Sequence, residues 1–187
     1  MARAHFIKTS RTPHICGRGG HEIPAGEGYY WAAPGFRAAK QYRCSGHPFR
    51  ESELTTSLRS EALAALEAFD DALDVLEDKD YDGLAAAAEE LVSALDQYND
   101  TRREALDAWE NGNEQLQEYA DQAETAASDA TSIQDAIQPF DDEEPTSDDW
   151  DDEEDYKTAV REHQEAADAH WEDQVTEARE AAQSIEV

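Results

Sequence analysis

Lysine is scarce in this chain. There are four (Lys8, Lys40, Lys79 and Lys157), within 15 basic residues set against 45 acidic ones, for a formal net charge of -30. So lopsided a balance keeps molecules hydrated and apart, but it repels itself at low salt. The acids are spread through alanine-rich periodic segments, so most are expected on solvated helix faces; together with the lysine shortage they point to a protein of a salt-loving organism. Long apolar runs are missing as well. No stretch nears the ~20 apolar residues of a membrane-crossing helix, and the opening Met1 to Lys8 lacks both a signal-peptide core and a lipidation pattern. The expectation is a soluble, cytoplasmic protein with no membrane partner. Cysteine is nearly absent, with only Cys16 and Cys44, which excludes a disulfide framework and favours metal binding or plain thiols. No glycine-rich phosphate loop, nucleophile elbow or metalloprotease helix is present, so the chain is not expected to be an enzyme.

Positive charge is concentrated at one end. Residues 1–50 hold eight Lys/Arg and two acids, a local net of +6, whereas residues 51–187 hold seven Lys/Arg and 43 acids, a local net of -36. That jump divides a basic head, 1–50, from an acidic helical hairpin or coiled coil, 51–138. An acidic flexible linker, 139–155, and a C-terminal helix, 156–187, come after it.

Within the head, both cysteines lie near histidines. Cys16-Gly-Arg-Gly-Gly-His21 and Cys44-Ser-Gly-His47 form two short knuckles with 22 residues between them. Zinc takes about four soft or borderline ligands from two such knuckles, which makes Cys16, His21, Cys44 and His47 the candidate ligands of a structural Zn2+. The second spacing is standard. The first is loose, because Gly19 stands where a second knuckle cysteine would fall, and His14 is an alternative to His21. Tyr29-Tyr30-Trp31 and residues 38–43 read as short strands, separated by the Pro34-Gly35 turn. Seven of the sixteen aromatics lie in this head: Phe6, Tyr29, Tyr30, Trp31, Phe36, Tyr42 and Phe49. They are expected to form its miniature core, and so small a fold needs a staple. The fold class expected is a small zinc-knuckle or zinc-ribbon-like β head followed by a mainly α part, either coiled coil or antiparallel bundle.

The head and hinge resemble a family of uncharacterised proteins found in tailed viruses of bacteria and archaea and in prokaryotic genomes, including haloarchaea. The residues that carry the resemblance are Arg3 to Lys8 (RAHFIK), Gly26 to Trp31 (GE-x-YYW, with an inserted Gly28) and Pro48 to Ser57 (P-x-R-x-SELT-x-S). Gly112-Asn-Glu-Gln-Leu-Gln117 adds a looser match. The resemblance implies no activity; it implies a viral or proviral context, and with it a virion-associated location as the alternative to the host cytoplasm.

After the hinge, Leu58, Ala62, Leu66, Phe69, Leu73 and Leu76 form one helical stripe. A three-four alternation then runs from Leu84 to Ile137, broken at Arg102 and at Asn111-Gly-Asn113, where a kink or loop would turn one long helix into a hairpin. Trp150 is odd within the acidic linker. The last helix carries a weaker stripe through Val160, His163, Ala167, Trp171, Val175, Ala178, Ala182 and Ile185. His163 and His170 share a face of it, but a second metal site there would need further ligands.

The leading expectation is a non-enzymatic interaction module of viral or proviral origin. Its zinc-stapled head docks an unidentified protein partner, a viral one in the context the resemblance implies, and its helices space or self-associate. The alternative is a nucleic-acid-binding regulator that engages DNA or RNA through the head. Arg18, Arg37, Lys40, Arg43, Arg50 and Trp31 would form the partner or nucleic-acid surface. High salt works against that alternative, because phosphate-dominated affinity collapses as salt rises.

Overall fold

The computed structural model describes residues 2–35, 38–109, 113–147, 150 and 152–187. The chain divides into two compact units, Met1–Glu67 together with Val187, and Ala68–Glu186.

The first unit holds five short strands: β1 (His5–Ile7), β2 (His14–Ile15), β3 (Glu22–Ile23), β4 (Tyr29–Ala32) and β5 (Gln41–Cys44). They form two antiparallel sheets, β1-β4-β5 and β2-β3. In the larger sheet, Tyr29 pairs with Cys44 and Trp31 with Tyr42, so one ligand candidate leaves the sheet from a row of rings. Side chains alternate along a strand, which puts His5, Tyr29, Trp31, Tyr42 and Cys44 on one face. There His5 stacks on Trp31 at 4.6 Å, and His14 stacks on Tyr42 at 4.1 Å and leans on Tyr29. Ring-on-ring contact therefore takes the place that aliphatic packing holds elsewhere. The fully buried apolar side chains between the first and last strands are Cys16, Ile23 and Ala32. Phe36, expected in this core, lies outside the described residues.

The hinge does not stay extended. Ser52–Leu54 forms a 3-10 turn, the Leu54 carbonyl accepts from the Ala2 amide at 2.7 Å, and the Ser52 amide donates to Glu67 at 3.2 Å. The hinge thus packs as part of the head unit and is not a loose connector. Glu67 lies on α1 (Arg59–Leu73), whose Ala62, Leu63, Phe69 and Leu73 are buried.

The second unit is helical: α2 (Tyr81–Asp107), α3 (Glu114–Ala136) and α4 (Glu153–Ser184). The long alternation is split between α2 and α3, and Asn113 caps α3 by accepting from the amides of Gln115 (2.9 Å) and Leu116 (3.2 Å). An asparagine at that position satisfies orphan amides of a new first turn, which is why a fresh helix starts there. Asn111 and Gly112 lie outside the described residues. The two helices run antiparallel: Arg103 near the end of α2 pairs with Glu124 early in α3 at 2.8 Å, while Asp96 and Gln97 share a groove with Gln134. Leu84, Ala88, Leu91, Leu95 and Tyr98 of α2 are buried, as are Ala120, Ala123, Ala126, Ala127, Ala130 and Ile133 of α3. Leucines from one helix and alanines from the other let the axes come close while filling the space between.

Arg102, the charge within the stripe, lies over the rings of Tyr98 and Tyr119, 5.0 Å from each centroid, and donates to the Tyr98 hydroxyl at 3.1 Å. Its stem covers the apolar seam while its head finds two ring faces. Trp109, also on the stripe, lies past the end of α2 and is exposed. The C-terminal helix starts at Glu153, three residues before the expected Tyr156, with Asp152 accepting from the Glu154 amide at 2.7 Å. Its Ala167, Trp171, Ala178 and Ala182 are buried, whereas Val160, His163 and Val175 are only half-buried. Among the described residues no helix is long and apolar enough to cross a membrane.

Candidate metal centre

Two hairpins bring the ligands together. β2 and β3 pair as His14 with Ile23 and Ile15 with Glu22, so the chain must reverse between residues 16 and 21. The Cys16 amide donates to the His21 carbonyl at 2.9 Å, and the Gly20 amide donates to the Cys16 carbonyl at 2.8 Å. The reversal needs a left-handed residue, and Gly20 supplies it at φ +67°. The second knuckle leaves β5, where the His47 amide donates to the Cys44 carbonyl at 3.1 Å. The Gly17 amide reaches across to the Tyr42 carbonyl at 2.9 Å and ties one knuckle to the strand that delivers the other.

Cys16, His21, Cys44 and His47 each offer one ligand atom, and these atoms all lie within 4.8 Å of one another. They are close enough to hold one metal ion. His47 presents Nδ1, at 3.7 Å from Cys16 Sγ and 3.3 Å from Cys44 Sγ. Cys16 is fully buried, Cys44 and His47 are half-buried, and His21 is exposed. Burial alone would push the Cys16 thiol up, but amides around Cys44, Gly19 and Arg18 and the His47 ring outweigh it and bring the value down to about 6. One of those amides is resolved as a bond, from Gly19 to Cys16 Sγ at 3.5 Å. A thiolate is the metal-binding form of cysteine, and these donors favour it.

The structure accounts for the glycine where a knuckle cysteine would be expected. A Cβ on Gly19 would lie 2.5 Å from Nδ1 of His21 and 3.0 Å from the His47 ring. The two imidazoles fill the place that a side chain at residue 19 would need, and His21 stands as the fourth candidate ligand. A Cβ on Gly17 would meet the Arg43 guanidinium. His14 does not belong to the cluster; its ring stacks on Tyr42 and leans on Tyr29.

Two of the residues expected to form a partner surface, Arg18 and Arg43, meet at one carboxylate. Arg43 is buried and pairs with Glu53 at 2.7 Å, with its guanidinium 5.0 Å from the Phe49 ring. Arg18 pairs with the other oxygen of Glu53 at 3.0 Å, and the Arg50 amide donates to that oxygen at 2.9 Å. Lys40 covers Trp31 at 4.2 Å, and His5 stacks on the same ring. Arg37 lies outside the described residues. Glu53 is therefore the residue that sequence reasoning missed. It sits in the hinge stretch that reads as helix-capping, and its only signal is that it follows a segment with eight basic and two acidic residues.

His163 and His170, which share a face of α4, hold backbone rather than a second metal group. Their Nε2 atoms lie 3.1 Å from the Asp142 carbonyl and 2.9 Å from the Gln138 carbonyl, and Phe140 packs against both rings. Carbonyls only accept, so both Nε2 atoms carry a proton. The Gln138 amide also donates to Gln174 at 2.9 Å, so the start of the acidic linker is docked along α4. Comparison with protein-family models, with curated proteins and with solved structures finds no match for this chain.

Proposed function

We propose that this chain is a non-enzymatic interaction module whose head is stapled by a structural zinc ion and docks a protein partner, with the helices serving as spacer or self-association surface. The observation that carries the reading is the closed Cys16/His21/Cys44/His47 cluster. Two thiolates and two imidazoles are a donor set that suits zinc. Zn–S and Zn–N bonds of usual length put sulfur and nitrogen about 3.5–3.6 Å apart at the corners of a tetrahedron. The 3.3 and 3.7 Å separations from His47 Nδ1 bracket that value. With four protein donors, no corner is left for substrate or activated water, which favours a structural role over a catalytic one.

Nucleic-acid binding is the reading this geometry favours less. Arg18 and Arg43 share one carboxylate, and Trp31 is stacked by His5 and approached by Lys40. Base stacking needs a free ring face, and phosphate contact needs cations not already neutralised. The deciding experiment is metal analysis of the intact protein together with Cys16→Ser and Cys44→Ser, and then binding of the loaded protein to DNA and RNA over a salt series. One equivalent of zinc, lost in both variants, and no nucleic-acid binding at low salt support the proposal. Zinc-free wild-type protein, or tight salt-sensitive binding of DNA or RNA, overturns it.

A further inference from the structure

Four side chains of the head are explained by a metal ion. The two arginines beside them are not. Arg18 lies inside the first knuckle, between Cys16 and His21, and Arg43 immediately precedes Cys44. Two guanidiniums so placed repel each other and a divalent cation unless something neutralises them. The hinge supplies that group: one Glu53 oxygen accepts from Arg43 Nη2 at 2.7 Å, and the other is ion-paired with Arg18 Nη2 at 3.0 Å and accepts from the Arg50 amide at 2.9 Å. Arg43 continues the chain of contacts, donating through Nη1 to the Tyr42 carbonyl at 3.2 Å, the same carbonyl that takes the Gly17 amide. Together these contacts join one ligand-bearing loop to the other, and the carboxylate is the group that touches both arginines. Burial raises the Glu53 carboxyl, but Arg43 above all, then the Arg50 amide and Arg18, hold it below the ordinary value.

We propose that Glu53 is a positioning residue for the metal centre: its carboxylate bridges Arg18 and Arg43 and sets the separation of the two ligand-bearing knuckles before the metal arrives. The proposal rests on the reading of the Cys/His cluster as a metal site. The Arg43 arm is a charge-assisted hydrogen bond, the strong kind, and it is buried, where loss of one partner strands a charge. The opposite alternative, in which the ion alone gathers four flexible ligands, would pay the ordering entropy of both loops at the moment of binding. Prepaired knuckles avoid most of it.

The test is competition of the full-length protein with a chelator for Zn2+, alongside the visible spectrum of the Co2+-loaded form. Glu53→Gln should weaken Zn2+ binding about 10- to 100-fold while the Co2+ bands keep their positions, because all four ligands remain. Glu53→Asp should recover part of the loss, since it keeps the charge but reaches only one arginine well. Arg18→Gln removes only the more exposed arm; it should cost about 2- to 5-fold at low salt and nothing near 1 M, where the Debye length is about 3 Å. That variant also serves if Glu53→Gln does not fold. Zn2+ affinity in Glu53→Gln within about twofold of wild type overturns the proposal. So does an equal loss in Ser52→Ala, which disturbs the hinge through Glu67 without touching the arginines. Wild-type protein that takes up neither Zn2+ nor Co2+ overturns the metal reading itself and leaves Glu53 with nothing to position, an outcome distinct from an unchanged affinity.

Discussion

The head and the helical unit solve the problem of holding a fold together in opposite ways. The helical unit distributes its stability over a long seam. Leu84, Leu91 and Leu95 are almost fully buried, and each such side chain contributes about 1.5–3 kcal/mol, so no single residue decides the outcome. Its acids stay on the outside, where the few cations pair with them, as Arg179 does with Asp74 at 2.8 Å and with Asp70 at 3.4 Å. The head has almost no aliphatic core. It relies on stacked rings, one buried ion-pair fork and four convergent ligand atoms, each of them a point of failure. The difference teaches where a charged residue carries meaning here: an acid on a helix is one of many, whereas Glu53 in the hinge has a specific task.

The largest expected effect would sharpen that contrast. Zinc binding in small domains is worth about 10–16 kcal/mol of folding free energy, so removing the metal with a chelator, or Cys44→Ser, should take away most of the head's stability and leave it held only by its stacked rings and the Glu53 pairings. The near-ultraviolet signal of Trp31 should weaken while most far-ultraviolet helix signal persists; simultaneous loss of both would break the comparison. Leu91→Ala is the converse experiment. It should destabilise the helical unit by about 2–5 kcal/mol in denaturant titration and leave the zinc content unchanged. A third effect concerns Gly19. Replacing it with Ala forces a methyl into the His21 and His47 rings, and overpacking of this kind costs about 1–3 kcal/mol, seen as weaker Zn2+ retention against a chelator.

His170→Ala should cost about 1 kcal/mol at most, through loss of one hydrogen bond to the Gln138 carbonyl. Its readout is faster amide exchange from 138 to 142 with no change in the head. The smallest effect is set by pH. The Glu53 carboxyl is held below the ordinary 4.5 when folded, so its contribution is fully present above 4.5 and is lost as pH falls through the lower folded value. In the metal-free protein, wild type should therefore lose head stability over that acidic range faster than Glu53→Gln. Parallel acid curves would remove Glu53 from the account of the head.

The helical stripes were legible because periodicity depends only on spacing. Leu84, Ala88, Leu91, Leu95 and Tyr98 recur at three and four, and they are the buried face of α2. The four ligand candidates were legible for a similar reason, since two short Cys/His knuckles imply convergence whatever lies between them. Three things were not legible. Arg18 and Arg43 read as a basic surface, because sequence shows a charge but not the partner that neutralises it. Glu53 read as part of a capping stretch, because the two guanidiniums it pairs with are 10 and 35 positions upstream. His163 and His170 read as two histidines on one helix face, with no sign that the carbonyls of Gln138 and Asp142 come back to them.

By itself, the sequence determined the basic head and acidic helices, the positions of the apolar stripes and the identity of the candidate ligands, all of which follow from composition and local spacing. The tertiary structure decided that the long alternation folds back as an antiparallel pair, that His21 rather than His14 joins the cluster, and that two imidazoles crowd the position of Gly19. Each of these depends on which groups meet after the chain reverses. The ring of His14 is stacked on Tyr42 and lies outside the group of four, and two imidazoles fill the space beside Gly19.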